Sequence, residues 1–257
     1  MNSNANKLPV LFISHGAPDI LVQKDSLVDS WRVQTEKIPK PKAILVVSAH
    51  WETVEPTISG NANSETIHDF SGFSEGVYKL SYSTPSAESL AYDISNKLSL
   101  KFNQDRGLDH AAWVPLLAMY PSADIPVLTL SVSPIKGCEF SYNLGKRLRC
   151  LREEGVLIVG SGGVVHNLFA LDWVNVHAPP AGWAVGVMES VDSCVKTGDI
   201  DALLEPDRLL YSDQALPSLE HYLPLIVALG ASENEQVSLF CEGWRYGSLS
   251  MHSYQFG

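Results

Sequence analysis

The sequence predicts an α/β domain with a largely parallel or mixed central sheet flanked by helices. Two observations lead to this prediction. Short continuous apolar runs, bounded by turn residues, recur along the chain, and such runs are typical of strands buried on both faces. Segments with helical spacing lie between them, and this alternation of strands and helices is typical of a sheet whose strands run mostly parallel.

The apolar runs predict the positions of individual strands. Each run is short and is enriched in valine, isoleucine and leucine, which fit a buried strand. A further strand is expected at residues 237–242, near the C-terminus. The four strands predicted from the apolar runs are residues 9–13, 43–47, 126–132 and 156–159.

The helical segments connect these strands. The segment at 140–154 has a basic last turn and is followed by Gly155, both of which favour a helix C-terminus. None of the connections is long or rich enough in proline, glycine and serine to mark a domain boundary. The predicted helices are residues 87–98, 140–154, about 183–195 and about 219–229.

Composition indicates one globular domain over residues 1–257. Apolar residues make up 45% of the 257 residues and charged residues 18%, which is enough for a sizeable core. The formal net charge of −11 would repel nucleic-acid phosphates and anionic membrane surfaces. We therefore expect no nucleic-acid partner and no membrane association.

The four cysteines predict a reducing compartment. Cys138, Cys150, Cys194 and Cys241 are far apart and form no CxxC pair, so we expect free thiols. No apolar stretch reaches the length needed to span a bilayer, and the N-terminus lacks a signal-peptide cleavage pattern. These features predict a cytoplasmic protein.

Three histidines follow predicted strands. His15 and His50 come directly after apolar runs, and His166 follows a short glycine-rich turn beyond a third run. A lone histidine is usually not a ligand: it lies on the surface, or in the core with its hydrogen bonds satisfied. Ligands of open α/β sheets bind at the carboxyl edge, however, so three imidazoles there predict a site for one divalent metal ion. Nearby glycines, including Gly160 and Gly162, would let backbones approach closely, although they also suit ordinary turns.

Other polar residues are weaker candidates. His221 and Glu220 are rivals for the metal, since adjacent residues of a helix diverge by about 100° and at most one should face it. His110 is placed in a loop after the 101–106 segment, and Asp109 beside it could orient an imidazole.

The remaining histidines are also ranked by their surroundings. His68 is either structural or part of the substrate pocket. His177, in a polar loop, and His252, near the C-terminus, are left outside the site.

A set of motifs resembles one enzyme family. Running from residue 8 to residue 251, it is similar to the DODA-type extradiol ring-opening dioxygenases, which are DOPA 4,5-dioxygenase-like members of the class III superfamily of protocatechuate 4,5-dioxygenase catalytic subunits. As a set, in this order, the motifs are highly specific. They are Ser14-His15-Gly16-Ala17-Pro18, Val47-Ser48-Ala49-His50-Trp51, Thr66-Ile67-His68-Asp69-Phe70, Asp109-His110, Gly163-Val164-Val165-His166-Asn167-Leu168 and Glu220-His221-Tyr222-Leu223-Pro224-Leu225.

The resemblance implies roles for individual residues. His15 and His50 would bind the metal together with His221, which stands where the wider superfamily has a glutamate. His166 would be an active-site histidine, close enough to act as a fourth ligand when no substrate is bound. His110 would be catalytic without being a permanent ligand. Two histidines and a carboxylate are typical of Fe(II) oxygenases, whereas an all-histidine set suits Zn(II), so either metal is expected.

The resemblance predicts that the enzyme opens a DOPA-like catechol with O2. His166 or His110 would remove a phenolic proton, because the pKa of histidine, roughly 6.5, suits general acid–base catalysis near neutral pH. Two alternatives use the same residues: a zinc-dependent hydrolase or lyase, and a non-catalytic binding module of the same fold. The particular catechol, the working metal and the oligomeric state are left open.

Overall fold

The computed structural model describes residues 7–23, 25–63 and 65–257. They form a single-domain α/β fold built around one eight-stranded sheet, with a separate two-stranded sheet beside it. The strands are β1 (Val10–Ser14), β2 (Ala43–Glu52), β3 (Thr57–Ser59), β4 (Lys101–Phe102), β5 (Val127–Val132), β6 (Val156–Gly162), β7 (Val237–Cys241), β8 (Trp244–Arg245), β9 (Leu249–Ser250) and β10 (Ser253–Phe256).

Helices connect the strands and cover the large sheet. None of the described helices combines the length and the apolar character needed to cross a membrane. Short 3-10 turns complete several of the connections. The helices are α1 (Leu27–Glu36), α2 (Glu75–Tyr78), α3 (Glu88–Lys97), α4 (His110–Met119), α5 (Gly137–Leu148), α6 (Gly182–Thr197), α7 (Ile200–Leu204), α8 (Ser212–Ala215) and α9 (Leu223–Ser232).

The large sheet is mixed, which confirms the predicted fold class. Its strand order is β4-β3-β5-β2-β6-β1-β10-β7. The four central strands β5, β2, β6 and β1 run parallel to one another. Antiparallel pairing occurs only towards the edges, between β3 and β5, β1 and β10, and β10 and β7, within the described residues. The sequence prediction omitted β10, which lies between β1 and β7.

Two apolar clusters cover opposite faces of the central strands. In β1, Val10 and Phe12 contribute to one cluster and Leu11 and Ile13 to the other. The first cluster also contains residues of α3, α5, α6 and α9, and the second contains residues of α1 and α4. This burial on both faces explains why the central strands are continuous apolar runs rather than alternating ones.

Helix α4 was not predicted, and His110 begins it rather than lying in a loop. The Asp109 side chain caps the helix by accepting a hydrogen bond from the backbone N–H of Ala112 at 3.3 Å. Almost every residue of α4 is buried, so the helix has no polar face and no helical periodicity in its sequence. Pro115 lies inside α4, and proline is rare in helix interiors, so the sequence of this segment did not indicate a helix.

Candidate metal and catalytic site

Three adjacent strands bring the predicted site residues together. Strand β6 lies between β1 and β2, with Ser14 opposite Gly162 and Ser48 opposite Ser161. His15 and His50 therefore flank β6 instead of ending directly neighbouring strands, and their ring centroids are 5.2 Å apart. Parallel strands present their carboxyl ends at one edge, so the two imidazoles meet there.

His50 lies within an irregular part of β2. The pairing of β2 with β5 shifts register between Ser48 and Glu52, which is a bulge or a similar irregularity. Within it, the backbone N–H of His50 donates to Ser48 Oγ at 3.1 Å. Such irregularities occur beside active sites, where they change the direction of a side chain.

Two glycines of β6 allow His221, the third candidate metal ligand, to lie at this edge. A Cβ added to Gly160 would lie 2.2 Å from the Pro224 carbonyl oxygen, and one added to Gly162 would lie 2.2 Å from the His221 carbonyl oxygen. The same carbonyl of His221 accepts a hydrogen bond from Gly163 N–H at 2.9 Å. Glycine is required at both strand positions because the segment carrying His221 packs directly on the backbone of β6.

Hydrogen bonds determine which ring nitrogen of each imidazole carries the proton. His221 Nδ1 lies 3.1 Å from Glu220 Oε1, and an ionised carboxylate only accepts, so Nδ1 carries the proton. His15 Nδ1 lies 3.1 Å from Ser161 Oγ, whose own proton is donated to the Ala111 carbonyl at 2.6 Å. His15 Nδ1 is therefore also the donor. In both neutral rings the lone pair is on Nε2, where a metal can use it.

The acceptor that orients Ser161 is available because of a proline. In a regular helix, the N–H of residue 115 would bond to the carbonyl of residue 111. Pro115 has no N–H, so the Ala111 carbonyl is left for the Ser161 hydroxyl. The break in α4 thereby helps to set the tautomer of His15.

Asp69 is a residue of the candidate site that sequence reasoning did not identify. Its Oδ1 accepts from His110 Nδ1 at 2.8 Å and from the His110 backbone N–H at 3.1 Å. Its Oδ2 lies 3.2 Å from His50 Nδ1. The available signal was a carboxylate beside the motif histidine His68, but nothing in the sequence indicates that two distant rings share it.

Asp109 does not orient an imidazole. Its buried carboxylate accepts from Ser48 Oγ at 2.7 Å and from the Arg106 guanidinium at 2.7 Å, in addition to capping α4. It therefore ties the end of β2 to the start of α4, and with them the backbones that carry His50 and His110.

The donor set fits a divalent cation. His221 Nε2 and His50 Nε2 are 3.1 Å apart, and the contacts at both Nδ1 atoms place lone pairs on both Nε2 atoms. Two lone pairs at this distance repel unless a cation lies between them. Two groups of residues each have donor atoms within 4.8 Å of one another: His15, His50 and His110, and His166, Glu220 and His221.

Burial keeps His15, His110, His166 and His221 neutral. Desolvation and the neighbouring imidazoles hold the pKa values of His15 and His221 well below the usual value for histidine. Burial and the His50 ring lower the pKa of His166 to about 4. Burial also lowers the pKa of His110, although its bond to Asp69 opposes this. Neutral imidazoles are the form that binds a metal.

The carboxylate of Asp69, beside the rings of His50 and His110, stays charged. Burial tends to raise the pKa of Asp69, but the hydrogen bonds from His110 and His50 lower it below its ordinary value. Asp69 is therefore an anion at neutral pH and acts only as an acceptor.

A cavity of about 810 Å³ leads to one side of the histidine cluster. His50, His110 and His166 line it, whereas His15 and His221 lie behind these rings and do not. His166 stacks on His221 with ring centroids 3.4 Å apart. The cluster thus has a buried back and a face that is open to a small molecule.

The structure places His68 behind the cavity wall. Its Nε2 lies 3.0 Å from the Leu80 carbonyl, and its ring contacts Phe70 and Trp113. Asp69 and Phe70, rather than His68, line the cavity.

Neither His177 nor His252 belongs to the two groups of possible metal ligands among the described residues. His252 Nδ1 instead lies 3.4 Å from Asp192 Oδ1, on α6.

Comparisons with known proteins give the same assignment for almost the whole chain. The family described as the catalytic LigB subunit of aromatic ring-opening dioxygenase matches residues 9–257. The chain is 35% identical to the 4,5-DOPA dioxygenase extradiol of Escherichia coli (strain K12), covering 99% of this chain and 96% of that protein. It is 38% identical to the protein of the same name from Beta vulgaris, covering 100% and 99%.

A solved structure matches the fold. It is the crystal structure of an uncharacterized protein from Escherichia coli K12, with a TM-score of 0.84 and 31% sequence identity. The match covers 98% of this chain and 100% of the other. The sheet and the surrounding helices therefore form the architecture of a known structure over nearly their full extent.

Proposed function

This chain belongs to the family of catalytic LigB subunits of aromatic ring-opening dioxygenases, and we propose that its histidine cluster holds one divalent metal that binds a catechol substrate. Its similarity to these relatives identifies it as an extradiol ring-cleaving dioxygenase, which uses O2 and a small aromatic substrate. The observation that carries the proposal is the pair of facing Nε2 atoms of His50 and His221, 3.1 Å apart.

His15, His50 and His221 are the proposed permanent ligands. His15 and His221 are buried behind the cavity, and a polar partner holds Nδ1 of each ring, which leaves Nε2 available. Glu220 is bonded to His221 and orients it, so the proposal gives Glu220 no place on the metal. His166 would be a fourth ligand until substrate arrives, because its ring stacks on His221 and also lines the cavity.

The working metal is proposed to be Fe(II), with Zn(II) expected in protein as isolated. When bound, the metal would supply positive charge to acidify the catechol hydroxyls, and iron would also supply the redox chemistry that O2 requires. Zinc has no redox chemistry of its own. The all-histidine donor set is typical of zinc sites, but imidazole is also a ligand of iron.

His110 and His166 are the proposed acid–base residues. Both line the cavity, and both are neutral at neutral pH because burial lowers their pKa values. His110 presents Nε2, since Asp69 holds the proton at Nδ1. One ring would take a phenolic proton from the bound catechol, and the other would return a proton as the ring opens.

The proposed substrate is a DOPA-like catechol, as the names of the relatives suggest. The cavity wall offers aromatic and apolar side chains for a flat ring, among them Phe70, Phe73 and Trp173. We propose no direct substrate contact for His68; its neighbour Phe70 takes that role.

Anaerobic reconstitution with Fe(II), followed by oxygen-uptake measurements, tests the function. The substrates would be DOPA, caffeate and protocatechuate, and the zinc-loaded protein is the matched control. We expect one metal per chain, oxygen uptake only with iron, and a ring-opened semialdehyde product. No oxygen uptake with any catechol, despite full iron loading, would contradict the proposal.

The same measurements separate the alternatives. Metal-dependent hydrolysis without oxygen uptake would indicate the zinc hydrolase, and binding without turnover would indicate the binding module. No contact in the described site favours either of them. The cytoplasmic location, the lack of a nucleic-acid partner and the treatment of residues 1–257 as one catalytic domain stay predictions from the sequence.

A further inference from the structure

We infer that Asp69 is a positioning residue that sets the tautomers of His50 and His110 together, so that one carboxylate prepares both a metal ligand and the acid–base residue. The inference rests on the proposed function, because it needs His50 on the metal and His110 beside the substrate. It goes further in assigning Asp69 a role in both metal binding and proton transfer.

The two oxygens of Asp69 serve different rings. Oδ1 accepts from Nδ1 and from the backbone N–H of His110, at 2.8 Å and 3.1 Å, while Oδ2 lies 3.2 Å from Nδ1 of His50. The two rings are themselves close, with centroids 3.8 Å apart and planes inclined by 52°. One carboxylate therefore bridges two imidazoles that are in contact.

An ionised carboxylate has no proton to give. Both facing nitrogens must then carry protons, which leaves Nε2 of each neutral ring with its lone pair. For His50 this lone pair faces His221 Nε2. For His110 it is available at the ring edge away from Asp69, on a residue that lines the cavity. Neither ring can change tautomer without placing a lone pair of its Nδ1 against a lone pair of the Asp69 carboxylate.

Neighbouring contacts hold the Asp69 segment in place. Ile67 N–H donates to the Leu108 carbonyl at 2.7 Å, and Trp113 Nε1 donates to the Ile67 carbonyl at 3.0 Å. His68 Nε2 lies 3.0 Å from the Leu80 carbonyl on the other side. His68 thus contributes by fixing the backbone next to Asp69, which accounts for a motif histidine that does not line the cavity.

Asp69→Asn tests the proton argument with little change in shape. An amide has one accepting oxygen and one donating NH2 group. With the oxygen on His110, the NH2 group faces His50 Nδ1 and forces the proton of His50 onto Nε2, which weakens metal binding. The reversed amide is disfavoured, because its NH2 group would face the backbone N–H of His110, which can only donate.

The experiment measures both quantities on the same protein. Metal affinity is obtained by chelator competition with Zn(II), and kcat and KM by oxygen uptake at saturating Fe(II). We expect Asp69→Asn to lose about 10- to 100-fold in metal affinity, with KM little changed. Asp69→Glu, which keeps the carboxylate, should recover much of the loss. Asp93→Asn makes the same substitution at an exposed aspartate of α3 that does not line the cavity, so it is the matched control and should match the parent.

A measurement on the unmodified protein covers the case in which the Asn variant does not fold. Nitrogen-15 chemical shifts of the zinc-loaded parent should report protonated Nδ1 on both His50 and His110; a proton on Nε2 of either ring would overturn the inference. The inference would also be overturned by unchanged metal affinity and kcat in Asp69→Asn, or by an equal loss of metal affinity in the Asn and Glu variants. If the parent itself binds no metal, the proposed function fails instead.

Discussion

The back and the front of the active site are built differently. At the back, His15 and His221 are buried, each has a hydrogen-bonding partner at Nδ1, and the glycines of β6 allow direct backbone packing around them. At the front, the segment between β6 and α6 has only one short 3-10 turn, and its Phe169 is fully exposed. The contrast separates the part that we propose to hold the metal from the part that we propose to contact the substrate.

The contrast also implies different tolerance to change. Substituting a side chain at the back leaves buried polar atoms without partners, whose desolvation costs about 1–3 kcal/mol each, and disturbs the donor set. Substituting an exposed side chain at the front changes stability by roughly 0.5 kcal/mol or less. Variants should therefore lose metal at the back and change substrate affinity at the front.

The largest effect is expected for His15→Ala or His50→Ala. Each removes one imidazole nitrogen from a set of three, so stoichiometric zinc binding and oxygen uptake should both be abolished. Metal analysis and uptake assays on the purified variants measure this, with His177→Ala, a histidine outside both donor groups, as the control. Full metal occupancy in both ligand variants would remove them from the site.

A loss of turnover without a loss of metal is expected for His110→Ala. His110 lines the cavity, and general acid–base contributions are about 10²- to 10⁴-fold in rate. His110→Gln can still form hydrogen bonds but cannot shuttle a proton, so it should be nearly as impaired. Metal content, melting temperature and oxygen uptake measured on one preparation distinguish a catalytic role of His110 from a structural one.

The His110 variants also test an alternative arrangement of ligands. The donor atoms of His15, His50 and His110 lie within 4.8 Å of one another, so His110 is itself within reach of a metal. Loss of metal in His110→Ala would make His110 a permanent ligand. Normal turnover in both variants would exclude it from the mechanism.

A smaller effect is expected for Ser161→Ala at the back of the site. The change leaves His15 Nδ1 and the Ala111 carbonyl without their partner, so metal affinity should fall about 10- to 100-fold. Adding Pro115→Ala supplies an N–H for the Ala111 carbonyl. The double variant should regain stability but not metal affinity. If the double variant matched Pro115→Ala alone in both stability and metal affinity, the role of Ser161 would be purely structural.

The sequence was sufficient to predict the central strands and the meeting of His15 and His50 at one edge of the sheet, although His50 lies within β2 rather than after it. Apolar runs and their following residues are local patterns, and the carboxyl edge of a parallel sheet brings such residues together whatever their separation along the chain. Helix α4 was missed because burial on all sides removes its periodicity. Its position matters for the site, since it places His110 at a capped helix start.

The residues that orient the imidazoles could not be found in this way. Asp69 and Ser161 act on rings that are 19 to 146 residues distant, and no local pattern records such pairs. Asp109 was noticed only as a neighbour of His110, whereas its partners are Ser48 and Arg106. The types of metal ligand can be predicted from residue chemistry. Their hydrogen-bonding partners come from distant segments and depend on how the folded chain places those segments.

The smallest effect is expected at the front, for Trp173→Ala. Trp173 lines the cavity, is half exposed, and its ring lies 5.1 Å from that of Tyr246 and 6.4 Å from that of Phe73. Aromatic pairs contribute about 0.5–1.5 kcal/mol, so losing one such contact with a catechol ring should raise KM roughly two- to tenfold. Metal content and kcat should stay at parental values, because no donor atom depends on Trp173. Phe169→Ala, which removes a neighbouring aromatic ring that does not line the cavity, should leave KM unchanged. Steady-state kinetics on both variants, together with metal analysis, test this difference; a drop in metal content in Trp173→Ala would mean that the front wall also supports the metal.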